Sequence, residues 1–420
     1  MRILVGISNG LLKDGKYIPS GFMEQFITEL SKVGNDVLVY VPNRFQSVMF
    51  CGNNPMIENI DISQLESDIR NFNPELIITF NNTIYNNIVN ITDCPIVVWG
   101  ADSEYFWNSK DIIKSNLDRY YFFCFSHQEM KPRQKYFGIP DNRIFLIKPA
   151  TNIKNIKMDK DKNISFIGSF FQTSAKFQDF IEKWRSNPDL LKLINNFRTY
   201  FVNKNNVLDG VQNQDLIKDF QSIPETEYSI FFSQEKRTLI LSALTDMGLH
   251  IWGNWDWQNI RSFLPSLYAC VHPETATSVA ENEWVYNKSK ICININHDQS
   301  VNGMNFRICD VLASSGALIS SFSPFVREQF SGLDIPMFND QYEARDICKK
   351  YLDDEHLRQD FVEKSNDIIN NGWRWEHRFK DMSDILNLDV SNKKTCKIKR
   401  LFCSKKPGEI VYLEPKTKDL

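Results

Sequence analysis

Residues 294–320, NINHDQSVNGMNFRICDVLASSGALIS, hold the densest set of chemically capable side chains in the chain. A β-branched run enters a polar loop containing Asn302, Gly303, Asn305 and Arg307. A short apolar helix follows, carries one carboxylate, Asp310, and stops at Ser315-Gly316 before a second strand, residues 317–320. Arg307 offers a planar fork of donors to phosphate oxygens, and Asp310 can accept from two ribose hydroxyls. A loop at the carboxyl end of a parallel strand, leading into a helix N-terminus, is where α/β folds bind nucleotides. The plain alternative is an ordinary strand–loop–helix unit with an exposed Arg and Asp, and spacing alone does not choose between the two.

Other strand ends offer further candidates. Gly168 and Ser169 follow an apolar run, where a glycine lets backbone approach a phosphate closely or simply makes a turn. Gly253 and Asn254, after residues 250–253, could contact a nucleobase or form a tight turn. Four residues could take a proton from a hydroxyl: Asp102 after the buried run 95–99, His127 at the same position on the next strand, and His297 and Asp298 before the central loop. A histidine at a strand end is as readily structural as catalytic. Glu274, Glu281 and Glu283 form an acidic cluster that a solvated loop would also explain. Ser8, Asn9 and Gly10, at the end of the first strand, would line an acceptor pocket.

Positioning these residues requires a regular alternation of strands and helices, and the sequence supplies one. Residues 2–7 are a buried parallel strand, residues 8–20 a loop, and residues 21–33 a helix with Phe22, Phe26, Ile27 and Leu30 on one face. Strands are expected at 36–41, 76–80, 95–99, 120–125 and 143–147. A Lys- and Asp-rich connector, residues 152–163, marks a domain boundary. The pattern then restarts with a strand at 164–168, a helix-rich insertion over 176–225 and a helix over 234–247. Strands follow at 250–253, 269–271, 290–295 and 317–320, then helices at 342–352, 355–370 and 373–386. Such alternation predicts an α/β fold of two Rossmann-like domains facing a cleft. The expected parts are residues 1–150, residues 163–372, a helix over 373–388 crossing back to the first domain, and a basic tail over 389–420.

Composition narrows the class. A chain of 420 residues with 42% hydrophobic, 24% charged and 13% aromatic residues is globular and too long for one core. A net charge of −3 gives no general pull towards nucleic acid. No window is apolar for long enough to span a membrane, and the first residues enter a strand directly, so neither a span nor a signal peptide is expected. Nine cysteines, none in a CxxC pair, point to reduced thiols in a cytoplasmic protein rather than zinc.

Several segments together resemble a known family. They are PELIITFNN with CPIVVWGADSEYFW, then ISFIGSFF, RTLILSALTDMGLHIWGNW, NKSKICININHDQSVNGMNFRICDVLASSGALIS and LRQDFVEKSNDIINNGWRWEHRF. In this order they resemble the two-domain glycosyltransferases of the GT-B fold, including the CgeB-like proteins, over about residues 70–385. The family usually has Glu where Asp310 stands and Gly where Ser315 stands. Residues 176–225 match no part of it.

The resemblance implies transfer of a sugar from a nucleotide-activated donor to a glycan or lipid-linked acceptor in bacterial surface polysaccharide synthesis. It implies no cofactor beyond the nucleotide sugar as co-substrate, and no metal. The one DxD, Asp159-Lys160-Asp161, lies in the connector and reads as solvated charge. Arg307 and the backbone of 302–305 would stabilise the leaving group, Gly168 and Ser169 would be a second phosphate contact, and Asp310 would hold the ribose. The first domain would be the acceptor side, with Asp102 slightly favoured as base because the aromatic residues after it could stack on a sugar. Residues 393–406 carry seven Lys or Arg and no acid. They could rest on anionic lipid, peripheral to the inner face of the cell membrane, or remain a solvated tail. A donor with a CMP-activated acidic sugar, or a binding module without catalysis, would keep the same fold. A nicotinamide oxidoreductase is disfavoured, because no GxGxxG follows the first strand.

Overall fold

A computed structural model of the chain describes residues 1–7, 10–13, 16–19, 21–45, 60–100, 110–171, 173, 175–203, 206–297, 303–391, 408–414 and 416. They group into two compact units. One comprises Met1–Asn152, Thr277–Val279 and Asn370–Leu420; the other comprises Ile153–Ala276 and Ala280–Ile369.

The first unit begins with β1 (Arg2–Gly6), an antiparallel hairpin of β2 (Gly10–Lys13) and β3 (Lys16–Pro19), and β4 (Asp36–Tyr40). It continues with β5 (Leu76–Phe80), β6 (Ile96–Gly100), β7 (Tyr120–Cys124) and β8 (Ile144–Leu146). The expected loop over residues 8–20 is therefore largely a hairpin, and Gly10 pairs with Pro19 inside it. Six strands and a late one, Ile410–Tyr412, form a seven-stranded sheet in which every pairing is parallel. β5 and β6 are buried at every position, as strands covered on both faces must be.

Helix Gly21–Lys32 buries Phe22, Phe26, Ile27 and Leu30. Its rings meet Phe80 and Trp99 from the sheet in edge-on pairs at 5.6–5.8 Å. Helix Trp375–Leu386 joins the same cluster: Trp375 lies 5.1 Å from Phe22 and 5.4 Å from Phe26. Gln25, buried among these rings, accepts from Asn152 N at 2.7 Å and from the Trp375 indole at 3.4 Å, so its side-chain oxygen is satisfied.

The second unit holds β9 (Lys162–Ile167), β10 (Leu249–Trp252), β11 (Ser289–Asn294), β12 (Ala317–Ser321) and β13 (Met337–Phe338), and the late strand of the first unit is β14. The order is β10-β9-β11-β12-β13, again all parallel. Residues 269–271 are not a strand. They follow the helical turn Pro265–Tyr268, and only Val271 bridges to Ile251. The helix expected at 234–247 starts nine residues earlier, as Glu225–Ser242, because nothing after Pro224 interrupts it. With helices Ala175–Trp184, Pro188–Asn203 and Gln214–Gln221 it encloses its own apolar core, which includes Phe177, Phe180, Leu193, Leu216 and Phe220. Glu281 and Glu283, expected in a loop, lie on helix Val279–Lys288. The end of the expected basic tail is also ordered differently. β14 pairs Ile410 with Val37 and covers the edge of β4, while residues 392–407 lie outside the described residues.

In each sheet the strand order reverses beside the first strand. In the first, the chain moves from β1 to β4 and then crosses back to β5; in the second it moves from β9 to β10 and crosses back to β11. The carboxyl ends of β1 and β5, and of β9 and β11, are thus the two places where open α/β sheets bind ligands.

Candidate functional site: an arginine pair at the second sheet's reversal

Three elements converge where β9 and β11 end: Gly168 and Ser169 after β9, Asn296 and His297 after β11, and helix Phe306–Leu312. Arg307, second in that helix, lies over Gly168. A Cβ added there would stand 3.4 Å from Arg307 Nη2 and 2.7 Å from Phe166 Cζ, so no other residue fits without displacing that ring. Among the described residues the polar partners of Arg307 are neutral: Asn294 Oδ1 at 3.2 Å and the phenol of Tyr286. Burial holds that phenol above its ordinary range, with Arg307 opposing the shift and Asp310 adding to it.

A second guanidinium approaches the same ring. Arg237, from helix Glu225–Ser242, is 5% exposed and donates Nη1 to the Ser169 carbonyl. Its guanidinium carbon is 4.1 Å from the Phe171 ring and 5.5 Å from Phe166, while that of Arg307 is 5.6 Å from the same Phe166 ring. Two guanidinium groups thus lie within 5.6 Å of one aromatic ring at the end of β9, and guanidinium forks suit phosphate oxygens. The sequence reading missed Arg237; its signal was a charge opening the apolar run RTLILSAL.

Amides fix the floor. Asn294 is fully buried, accepts from Asn305 Nδ2 at 2.7 Å, and donates to Asn296 Oδ1 at 3.0 Å and Ser320 Oγ at 2.9 Å. Asn305 Oδ1 is buried and finds no donor among the described residues. His297 packs edge-on against Phe171 at 4.4 Å. Burial, then Arg237 and Lys236, push its imidazole down to about 4, which leaves it neutral at pH 7.

Arg307, Gly168, Ser169, His297 and Asn305 therefore come together, with Asp310 buried behind them near Tyr286. Gly303 is buried, and its carbonyl accepts from Ser323 Oγ at 3.3 Å. Gly253 faces the Trp257 indole and the Gly168 carbonyl, which fill the space a side chain would need. Asn254 is spent internally: its Oδ1 accepts from Phe170 N at 2.9 Å and its Nδ2 donates to Asp256. Lys160, in the connector, is not solvated charge; its ammonium donates to the Asn287 carbonyl at 3.0 Å and the Ser315 carbonyl at 2.7 Å. Among the described residues no group of three or more His, Cys, Asp or Glu is arranged to hold a metal ion.

In the first unit His127 is exposed and opens helix His127–Phe137. Ser8, Asn9, Asp102 and Asn302 lie outside the described residues. The reversal between β1 and β5 is bounded by Asn81 and Asn82, both buried and both in the left-handed region (φ 56° and 50°). Beyond them Thr83 Oγ1 donates to the Ile7 carbonyl at 3.2 Å.

Comparison with known proteins bears on the fold. Residues 235–384 match the family model described as glycosyl transferase-like. AviGT4, a glycosyltransferase of avilamycin A biosynthesis, is 8% identical over 93% of this chain and 98% of its own, with a TM-score of 0.50. Anabaena HepE, solved with UDP-glucose, is 9% identical over 92% and 99%, also with a TM-score of 0.50. TarM is 11% identical, with a TM-score of 0.44; the match covers 80% of this chain but 60% of TarM, less than two thirds of its length. A search of the curated proteins finds no match. Residues 235–384 are a glycosyl transferase-like segment, and the chain as a whole has the GT-B fold, with Rossmann-like units of parallel sheet and helices.

Proposed function

We propose that the protein is a glycosyltransferase that takes a sugar from a nucleotide-activated donor and gives it to a hydroxyl of a glycan or glycolipid acceptor, in bacterial surface polysaccharide synthesis. The observation that carries the reading is the approach of the Arg237 and Arg307 guanidinium groups to the same Phe166 ring, with Arg307 beside Gly168. In transfer, the acceptor oxygen forms a bond to the anomeric carbon as the bond to the leaving phosphate breaks, and negative charge grows on that phosphate. Two preorganised guanidiniums in a partly water-excluded site stabilise that charge more in the transition state than in the ground state. Asn305 Oδ1 suits a donor hydroxyl, and Asp310 is the proposed ribose contact. The acceptor's proton goes to a base, for which Asp102, His127 and His297 are the candidates. Contact with a membrane surface through residues 393–406 is part of the proposal. Among the described residues no helix is long and apolar enough to cross a membrane.

The test is nucleotide release from UDP-, GDP-, dTDP- and CMP-sugars by the wild type and by Arg307→Ala. Transfer with one donor class, lost in the variant at unchanged melting temperature, is the expected result. A variant as active as the wild type would remove Arg307 from the reaction. Failure of every donor to bind would remove the enzyme reading altogether.

A further inference from the structure

We propose a second carbohydrate site in the second unit, separate from the arginine pair, that holds a neutral oligosaccharide against Trp284 and the His272 ring, which is stacked on the buried Trp252. A cavity of about 550 Å³ opens beside the edge strand β10, lined by Trp252, His272, Glu274, Thr275, Glu281 and Trp284. Its volume falls within the range of small-ligand sites. Helix Val279–Lys288 separates it from the arginine pair: Tyr286 leaves the helix towards Arg307, whereas Glu281 and Trp284, three residues apart on one face, line the cavity.

The wall is rigid before any ligand arrives. The His272 ring lies parallel to Trp252, 4.1 Å away at 6°, and a hydrogen bond between His272 Nε2 and His250 Nδ1 at 2.9 Å fixes it there. Preformed aromatic surface costs little ordering on binding. Trp284 is 43% exposed, an uncommon position for so large an apolar ring.

The chemistry of the walls selects the ligand class. Flat aromatic faces suit the apolar C–H face of a pyranose ring, and the Glu274 and Glu281 carboxylates are acceptors for its hydroxyls, giving charge-assisted hydrogen bonds. The same carboxylates repel phosphate and acidic sugars. A cationic ligand is disfavoured because the Lys162 ammonium already stands over both rings, 5.1 Å from the Trp284 centroid and 6.0 Å from that of Trp252. What remains is an uncharged glycan of a few rings. The inference does not depend on the donor assignment, since binding here needs no turnover.

The experiment titrates the full chain with neutral gluco- and N-acetylglucosamine oligosaccharides of two to four rings, following tryptophan fluorescence and ligand-observed NMR. One of these series is expected to bind, with Trp284→Ala and Glu274→Gln each weakening it at least tenfold and Trp284→Phe restoring part of the affinity. UDP and GDP are expected not to displace the saccharide. The proposal is overturned if no saccharide binds, if Trp284→Ala binds as the wild type does, or if a nucleotide competes for the cavity. Nucleotide competition would leave the glycosyltransferase reading standing; loss of all nucleotide binding with saccharide binding intact would remove that reading and keep this one.

Discussion

The two sheet reversals share a topology and differ in chemistry. Where β9 and β11 end, two guanidiniums face a common ring; where β1 and β5 end, the described boundary is neutral, with two asparagines in a left-handed turn and two threonines. The same fold rule therefore places two candidate ligand sites, and side-chain charge decides what each can hold. A cationic reversal suits the charged donor, whose leaving group gains negative charge. An amide-lined one suits an uncharged hydroxyl compound.

The largest expected effect tests the cationic side. Arg307→Ala and Arg237→Ala should each lower kcat by roughly 10²–10³, as loss of one oxyanion-stabilising donor does, and the losses should not add if the pair acts on one group. Steady-state kinetics of the two single variants and the double variant measure this.

Glycines sharpen the contrast. Gly6, on β1, has Ile84 Cγ2 at 2.7 Å and Thr79 Oγ1 at 2.9 Å from where a Cβ would sit, so Gly6→Ala should overpack the first unit and cost about 1–3 kcal/mol of stability in denaturant unfolding. Gly168→Ala meets instead the buried Phe166 ring and the Arg307 fork. It should weaken nucleotide binding more than it lowers stability. The reverse pattern would mean that the second reversal is packing rather than a site.

A smaller effect concerns the asparagine turn. Asn82→Ala should cost about 1 kcal/mol through its left-handed backbone, and Asn82→Gly should recover most of it. Equal stability of the two variants would show that the turn carries no such strain.

A further effect is a pH dependence. Because the folded pKa of His297 lies near 4, below the ordinary histidine value of 6.5, the unfolded chain binds more protons between those values. Its contribution to stability should be complete above about pH 6.5 and fall as the pH drops towards 4, a sign that His250 and His272, also lowered first by burial, share. Removing the Arg237 charge should raise the His297 midpoint in an NMR titration.

Much of the frame was legible in the sequence because buried parallel strands are continuous apolar runs, and LIITF and IVVWG can be little else. Short-range signals were less well read. Asp14-Gly15 between GLLK and KYIP is the usual mark of a two-residue hairpin, and the segment was nonetheless expected as a loop. Helix Val279–Lys288 was obscured by its own glutamates, and β14 by the basic stretch before it. At the site, Arg307 could be singled out because it follows a recognisable strand and loop. Arg237 could not, since it comes from a helix some seventy positions earlier and only the fold brings it to Ser169. Left-handed Asn81 and Asn82 were visible as residues but not as geometry.

The most direct test is a crystal structure with a nucleoside diphosphate bound. Diphosphate oxygens within hydrogen-bond distance of both Arg237 and Arg307, beside Gly168, are the predicted result. A diphosphate bound elsewhere, out of reach of both guanidiniums, would contradict it.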